Sequence, residues 1–268
     1  MINYHNHSDF SLKDGLSRVE DIVKKCKENG HKSVCITDHG QMGSSLLLFE
    51  ECKKEGLKPM FGVEFYMKMR DDAPDLKERA HLVVIAKNKQ GWLNLLKINR
   101  EAYDNFYRVP LITFDILDKY REGLLCTTAC FAGPVAQFLM PGKTDLMLAR
   151  RHYERLVNIF GKDDVYIELQ PNSMKEQIHL NNMLYSFAKE YGSKLSLGYD
   201  SHYIKQSDAE VQETLLGINF KSNITMPTQA ELNAEVEGVE EVQDDESTKE
   251  EKNEVPKPKK ARFVFSTK

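Results

Sequence analysis

The first residues able to do chemistry lie in YHNHSDFSLKDG, residues 4–15. His5 and His7 stand one residue apart, with Asp9 and Asp14 close behind. In an extended strand, side chains at i and i+2 leave the same face, so one cation can take both imidazoles. Two surface histidines near an N-terminus have the same spacing, and the stretch by itself does not separate the two readings. The residue types recur further along. TDHG (37–40) brings Asp38 and His39, GVE (62–64) brings Glu64, and HLVVIA (81–86) opens on His81. TTAC (127–130) ends on Cys130, YIELQ (166–170) contains Glu168, and YDSHY (199–203) carries Asp200 and His202. Imidazole with carboxylate suits Zn²⁺, Mn²⁺ or Fe²⁺ better than Mg²⁺ or Ca²⁺ alone. Eight or nine such groups are too many for one ion. Two or three ions ~3.5–4 Å apart would use them, an arrangement that serves phosphoester hydrolysis.

Those residues need elements to position them. Apolar β-type runs recur at 2–5, 33–38, 60–67, 81–86, 124–129, 165–170 and 195–200, with helical patterns between them. Val19, Ile22, Val23 and Cys26 form the stripe of a first helix, Ser17 and Glu20 have the spacing of a capping box, and Gly30 stands at its stop. Further helices are predicted at about 44–55, 89–105, 145–160, 173–191 and 207–217. Strand–helix alternation over ~200 residues predicts an α/β fold with a parallel sheet. Seven strands of similar length predict a closed or nearly closed barrel, with an open doubly wound sheet as the competitor. The metal-capable residues fall mostly at C-terminal strand ends, the face on which α/β barrels build active sites. Five of the eight histidines (His5, His7, His39, His81, His202) belong to this set; His31, His152 and His179 fall in a turn or on predicted helix surfaces.

Composition sets the outer limits. A chain of 268 residues, 41% hydrophobic, is long enough for one large domain or two small ones. No apolar run approaches the ~20 residues that cross a bilayer, and no signal-peptide pattern opens the chain. Five cysteines, odd in number and without a CxxC, predict reduced thiols and a cytoplasmic protein. Residues 1–230 hold 30 acidic and 30 basic side chains, while 231–268 hold 11 and 7, which accounts for the net charge of −4. The balanced part carries no bulk basic signal, so any contact with nucleic acid must be local. Composition also divides the chain into a domain at 1–220, an acidic, aromatic-poor linker or tail at 221–260 predicted to be disordered, and a short strand-like stretch at 261–268.

Taken together, HNHSDFSLKDG, ITDHGQMGS, GVEFYM, HLVVIAKNKQGWLNLLKINREAY, YIELQ and YDSHY resemble the polymerase and histidinol phosphatase (PHP) domain over residues 3–220. More particularly they resemble its branch at the N-terminus of the bacterial DNA polymerase III alpha subunit. The resemblance implies a distorted (βα)7 barrel holding two or three divalent ions (Zn, Mn or Fe) through nine residues. Carried over position by position, the first motif supplies His5, His7 and Asp14, TDHG supplies His39, and GVE supplies Glu64. HLVVIA supplies His81, TTAC supplies Cys130, and YDSHY supplies Asp200 and His202. All nine positions carry side chains able to ligate, and Glu64, His7 and Asp200 are the implied catalytic group, with Glu64 bridging two ions. The implied activity is 3′→5′ exonuclease proofreading at DNA 3′ ends, single-stranded or at a primer terminus, beside a polymerase core or other replisome subunits. A small-molecule phosphatase of the histidinol-phosphatase type and a non-catalytic, metal-stabilised scaffold are the alternatives. The final KKARFVFSTK resembles the lead into a polymerase core, so an N-terminal fragment, a split polymerase and an independent protein all stay open.

Other residues have plainer readings. Asp9 rivals Asp14 as the first carboxylate. Free cysteines are commonly buried small hydrophobes, and Cys130 counts as a ligand only through the resemblance. Glu168 either supports a ligand or is a buried hydrogen-bonded residue, and Asp38 orients a neighbour. Arg108 is a loop arginine or meets a substrate phosphate, and Trp92 with its neighbouring leucines belongs to the core.

Overall fold

A computed structural model describes residues 3–12, 14–69 and 79–220. Among these residues, seven strands alternate with seven α-helices. The first half runs α1 (Val19–Glu28), β1 (Ser33–Ile36), α2 (Ser45–Glu55), β2 (Lys58–Lys68), β3 (Arg79–Ala86) and α3 (Lys89–Asp104). The second half runs β4 (Leu111–Ile112), α4 (Phe114–Tyr120), β5 (Leu124–Thr127), α5 (Leu146–Phe160), β6 (Val165–Leu169), α6 (Lys175–Tyr191), β7 (Lys194–Leu197) and α7 (Ala209–Phe220). The sheet order is β1-β2-β3-β5-β6-β7, with β4 added alongside β2. This is the expected distorted α/β barrel. The acidic segment 221–260 and the strand-like stretch 261–268 lie outside the described residues.

Two details of the sheet depart from expectation. The sheet is not all parallel: β3 runs antiparallel to both β2 and β5. Only the ten residues 69–78 separate β2 from β3, fewer than the dozen or more a parallel crossover takes. The run 2–5 is also not a strand in its described part. The chain forms a single bridge one residue on, at Asn6, parallel to Ser201. There His7 N–H donates to Ser201 O (2.8 Å) and Thr37 N–H donates to Asn6 O (2.8 Å). Residues 5–7 thus join the ends of β1 and β7 and close the curled sheet at the C-terminal mouth of its strands.

Helix details follow the local chemistry. α1 begins at Val19 with Arg18 in the N-cap position and no side-chain cap; Ser17 lies one residue outside the cap, its carbonyl accepting from Asp9 N–H, and the Ser17–Glu20 capping box does not form. β4 and α4 were not expected. A two-residue strand and a seven-residue helix, capped by Thr113 Oγ1 accepting from Ile116 N–H, are too short to impose a period on the sequence. α5 turns Ala149, His152, Tyr153, Leu156 and Phe160 inward, so His152 is buried between the rings of Phe114 and Phe138 rather than on a helix surface. Trp92 packs its ring on Phe61, and Leu95 is buried, but Leu93 and Leu96 are 42% and 41% exposed and do not join the core. No described helix is long and apolar enough to cross a membrane.

Candidate metal centre

The strand ends bring all nine candidate ligands to one place. The closing segment buries His5 and His7 completely. The chain beyond β1 runs on beside β2, with Gly40 N–H donating to Glu64 O, and so sets His39 against Glu64. Glu64 lies at the centre. Its Oε1 is 3.2 Å from His5 Nε2, 3.1 Å from His81 Nδ1 and 3.9 Å from Cys130 Sγ. Its Oε2 is 3.3 Å from His7 Nε2 and 2.7 Å from His39 Nδ1. Asp200 Oδ1 faces His5 Nε2 at 3.3 Å, His7 Nε2 at 3.2 Å and His202 Nδ1 at 3.6 Å. Asp14 Oδ2 faces His39 Nε2 at 3.0 Å and His202 Nε2 at 3.6 Å. Cys130 Sγ is 3.6 Å from His81 Nδ1. Asp9, the rival carboxylate, is exposed and makes no contact with the cluster. Arg108 is an exposed loop residue at positive φ.

Three overlapping triads have ligand atoms within 4.8 Å of one another: His7, His39 and His202; His5, His7 and Asp200; and His39, Glu64 and His81. His5 Nε2, His7 Nε2, His39 Nδ1 and Glu64 Oε2 are buried, and none makes a hydrogen bond despite its near neighbours. Buried polar atoms are nearly always hydrogen-bonded, and an unpaired one is costly. Lone pairs that converge without donors between them fit divalent cations, and the mixed N, O and S donor set suits Zn²⁺, Mn²⁺ or Fe²⁺.

A surrounding layer fixes which nitrogens face inward. The Glu168 carboxylate is buried and accepts from His5 Nδ1–H at 2.8 Å, leaving Nε2 for the centre. Its other oxygen accepts from Thr127 Oγ1–H. Ser11 Oγ donates to Asp38 and accepts from His7 Nδ1–H at 3.0 Å, so His7 is held in the same tautomer. Asp38 itself takes Ser8 N–H, Ser8 Oγ–H and Ser44 Oγ–H, which makes it a buried anchor rather than a ligand. Such carboxylate–imidazole support orients metal ligands and raises their basicity. Gln212, on α7, donates to the Asp14 carbonyl. Ser8, Ser11, Thr127 and Gln212 escaped the sequence reading, since hydroxyl and amide side chains occur everywhere. Gly198 belongs with them: a Cβ there would lie 2.0 Å from Glu168 Oε1.

Electrostatics and strain both concentrate here. Burial disfavours charge on His5, yet Asp200, Glu168 and Glu64 hold its proton well above the usual imidazole range. Burial likewise opposes charge on His39, but Glu64 and Asp14 push its pKa to about 10. His7 drops to about 3, through burial and then the neighbouring His39 and His202. Burial would raise Asp14 and Asp200, but their histidine partners carry both well below the carboxylate range. Burial and the nearby Glu64 and Asp200 charges keep the Cys130 thiol protonated until a cation replaces that field. Ala129 and Asp200 adopt left-handed φ of 54° and 50°, at roughly 1–3 kcal/mol each, a cost that clusters at functional sites.

Residues 3–172 match the family described as PHP domain. The chain is 36% identical over 225 residues to the DNA polymerase III subunit alpha of Borreliella burgdorferi, covering 81% of this chain and 19% of that protein. It is 35% identical over 234 residues to the DNA polymerase III subunit alpha of Aquifex aeolicus, covering 83% and 20%. The chain therefore spans about a fifth of the length of these curated relatives. Among solved structures, an amidohydrolase from Chromobacterium violaceum with bound sulfate and no metal aligns at TM-score 0.53 and 13% identity, over 80% of this chain and 96% of that one. That likeness concerns the fold alone.

Proposed function

The chain belongs to the PHP domain family, and from that premise we propose that it is a multinuclear metal-dependent phosphoesterase that removes nucleotides from DNA 3′ ends. In this reading it is a 3′→5′ exonuclease that works with a polymerase core of the DNA polymerase III alpha type or with other replisome subunits. The supporting observation is the convergence of seven of the candidate ligands in three overlapping triads, with Asp14 and Cys130 beside them, around four buried atoms (His5 Nε2, His7 Nε2, His39 Nδ1 and Glu64 Oε2) that make no hydrogen bond.

Divalent ions, when bound, supply Lewis acidity toward phosphate oxygens and lower the pKa of water. The protein's own residues do the rest. Glu64 turns one oxygen toward His5, His81 and Cys130 and the other toward His7 and His39, so it would help hold ions on both sides. Asp200 faces the His5–His7 side and Asp14 the His39–His202 side. Once bound ions replace the protons held by His5, His39 and Cys130, three carboxylates and a thiolate would bring four negative charges against five neutral imidazoles. Two divalent ions would balance them, and a third would leave a net positive charge for the phosphate. His5, His7 and Glu64 form the buried floor, while Asp14, His81 and His202 are only half-buried, so substrate approaches across the latter. The five cysteines are free, which suits a reducing compartment, and the proposed place of action is the cytoplasm.

The test incubates Mn²⁺-loaded protein separately with 3′-labelled single-stranded DNA, a labelled primer–template and histidinol phosphate. Label released from DNA supports the proposal. Phosphate released from histidinol phosphate alone replaces it with a small-molecule phosphatase, and no release with metals bound leaves a scaffold. Anomalous scattering at the metal edges counts and identifies the ions.

A further inference from the structure

The β2–β3 ladder carries more than metal ligands. Its register pairs Glu64 with Val83, Tyr66 with His81 and Lys68 with Arg79. Alternate residues leave a strand on the same face, so Glu64, Tyr66 and Lys68 share one face with His81 and Arg79. Burial agrees: Phe65, Met67, Ala80 and Leu82 are fully buried on the opposite face, whereas Tyr66, Lys68, Arg79 and His81 are half-buried. Read outward from the centre, this face holds a carboxylate, then an imidazole with a phenol, then two cations.

Tyr66 links these steps. Its ring lies 5.1 Å from that of His81 and 5.7 Å from that of His39, and Arg79 Cζ sits 5.1 Å from its centroid. A guanidinium at that distance over a tyrosine is held by cation–π attraction. Lys68 stands directly across the ladder from Arg79, and like charges in that position destabilise a sheet. A bound anion between the two cations would offset that cost. Lys68 and Arg79 stand one same-face step, about 6.6–6.8 Å, beyond Tyr66 and the candidate ligand His81. That step is comparable to the separation of successive phosphates in an extended nucleotide strand.

We propose that Arg79, seated on Tyr66 and backed by Lys68, binds the phosphate next to the one under attack, so that the site selects a phosphodiester strand over a phosphate monoester. This rests on the reading of the centre as a phosphoesterase. Arg79 is the specific element, since its planar fork can take a phosphate with two donors at once. Lys68 adds a point charge.

The experiment uses the Mn²⁺-loaded full chain and its Arg79→Ala, Arg79→Lys, Lys68→Ala and Arg100→Ala variants; Arg100 is an exposed control on α3 paired with Asp104. Four quantities are read for each: binding of a 3′-labelled phosphorothioate oligothymidine by anisotropy over a salt series, hydrolysis of bis(4-nitrophenyl) phosphate, metal content, and melting temperature. Arg79→Ala is expected to weaken strand binding about tenfold and to lower the slope of log K against log salt by roughly 0.7, the single-strand value for one lost phosphate contact. Its metal content and hydrolysis of the single-phosphate diester match the parent, Arg79→Lys recovers part of the binding, and Arg100→Ala changes nothing. Unchanged strand binding in Arg79→Ala, or no strand binding by the parent, overturns the proposal. So does a loss of metal and diester activity in step with binding, which would make Arg79 a prop for Tyr66. A fall in melting temperature with binding intact also overturns it, by assigning Arg79 to the carboxylates of the connecting segment (Asp71, Asp72, Asp75, Glu78). A parent that binds the strand through Arg79 yet cleaves neither DNA nor the diester sinks the phosphoesterase reading alone.

Discussion

Replacing Glu168 with glutamine isolates the support beneath the centre from the centre itself. Glu168 is buried, and its Oε1 accepts from His5 Nδ1–H at 2.8 Å and from Gln170 Nε2 at 3.3 Å. Glutamine fits the same volume. Its amide oxygen can still receive His5 Nδ1–H, with the amide nitrogen turned to Thr127 Oγ1, which can accept. What disappears is charge: a charge-assisted bond of about 1.5–3 kcal/mol becomes a neutral one of about 0.5–1.5 kcal/mol. The difference, roughly 1–1.5 kcal/mol, is about a tenfold loss in affinity for an ion that uses His5 Nε2, at the lower end of the effects known for such supporting residues. Glu168→Ala would leave the fully buried His5 Nδ1–H without an acceptor, adding about 1–3 kcal/mol. Competition titration of Zn²⁺ or Mn²⁺ against a chelating dye measures both variants, with melting of the metal-free proteins as a check on folding. The expected order is parent, then Gln weaker by about tenfold, then Ala weaker again, with turnover at saturating metal close to the parent for Gln. Parent-like affinity in a folded Glu168→Gln protein would falsify the view that this carboxylate sets the basicity of His5.

Gly198→Ala should reach the same end from the other side: its Cβ would meet Glu168 Oε1 at 2.0 Å, so metal affinity falls with no ligand touched, and a parent-like titration would contradict the packing argument. Gln212→Ala removes the donor to the Asp14 carbonyl and should lower metal content at limiting metal through the Asp14–His202 side; equal stoichiometry at every metal concentration would show that α7 does not position Asp14. The pKa of His152 is pushed down to about 4 by burial and then by Arg155 and Arg151. The folded state therefore prefers the neutral ring, and its contribution is intact above pH ~6.5 and is lost as pH falls toward 4, because the unfolded chain takes the proton first. His152→Phe, stacked between Phe114 and Phe138, should remove about 2–3 kcal/mol of the fall in unfolding free energy, read from urea titrations, between pH 7 and 4.5, and the same acid slope in parent and variant would refute it.

The strands that hold the centre were legible because they repeat one signal, a short apolar run with a metal-capable residue inside it or at one end. Six of the seven predicted runs are strands at nearly their expected limits. The run 2–5 misled because the closing segment makes a single bridge, to Ser201, and a single backbone hydrogen bond from Thr37 instead of a ladder, and its polarity comes from His5, Asn6 and His7, which face the site and the neighbouring backbone. The direction of β3 was not legible from strand character, which is the same for either sense. Nor did the predicted runs decide it, because 60–67 and 81–86 leave thirteen residues between them, enough for a crossover; only the strands' extension to Lys68 and from Arg79 shortens the connection to ten.

The candidate ligands and their supports differ in how far sequence can carry them, and the difference is physical. A donor set of imidazole, carboxylate and thiolate draws on few residue types, so five of eight histidines at strand ends stand out from the background. Support is given by whichever hydrogen-bonding group packing brings near. Ser11 joins Asp38 to His7, Thr127 fixes Glu168, and Gln212 reaches Asp14 across 198 positions of sequence. No spacing rule connects such partners, because they meet only when the sheet curls and residues 5–7 join its edges. Tyr66 and Arg79 show the intermediate case. Each is unremarkable alone, but once the hairpin register is known, strand alternation alone places both on the face of Glu64 and His81. Register is thus the quantity that turns a list of polar residues into an ordered surface. Shifting the β2–β3 pairing by one residue would turn Glu64 or His81 into the core and dismantle the centre and the cationic step together.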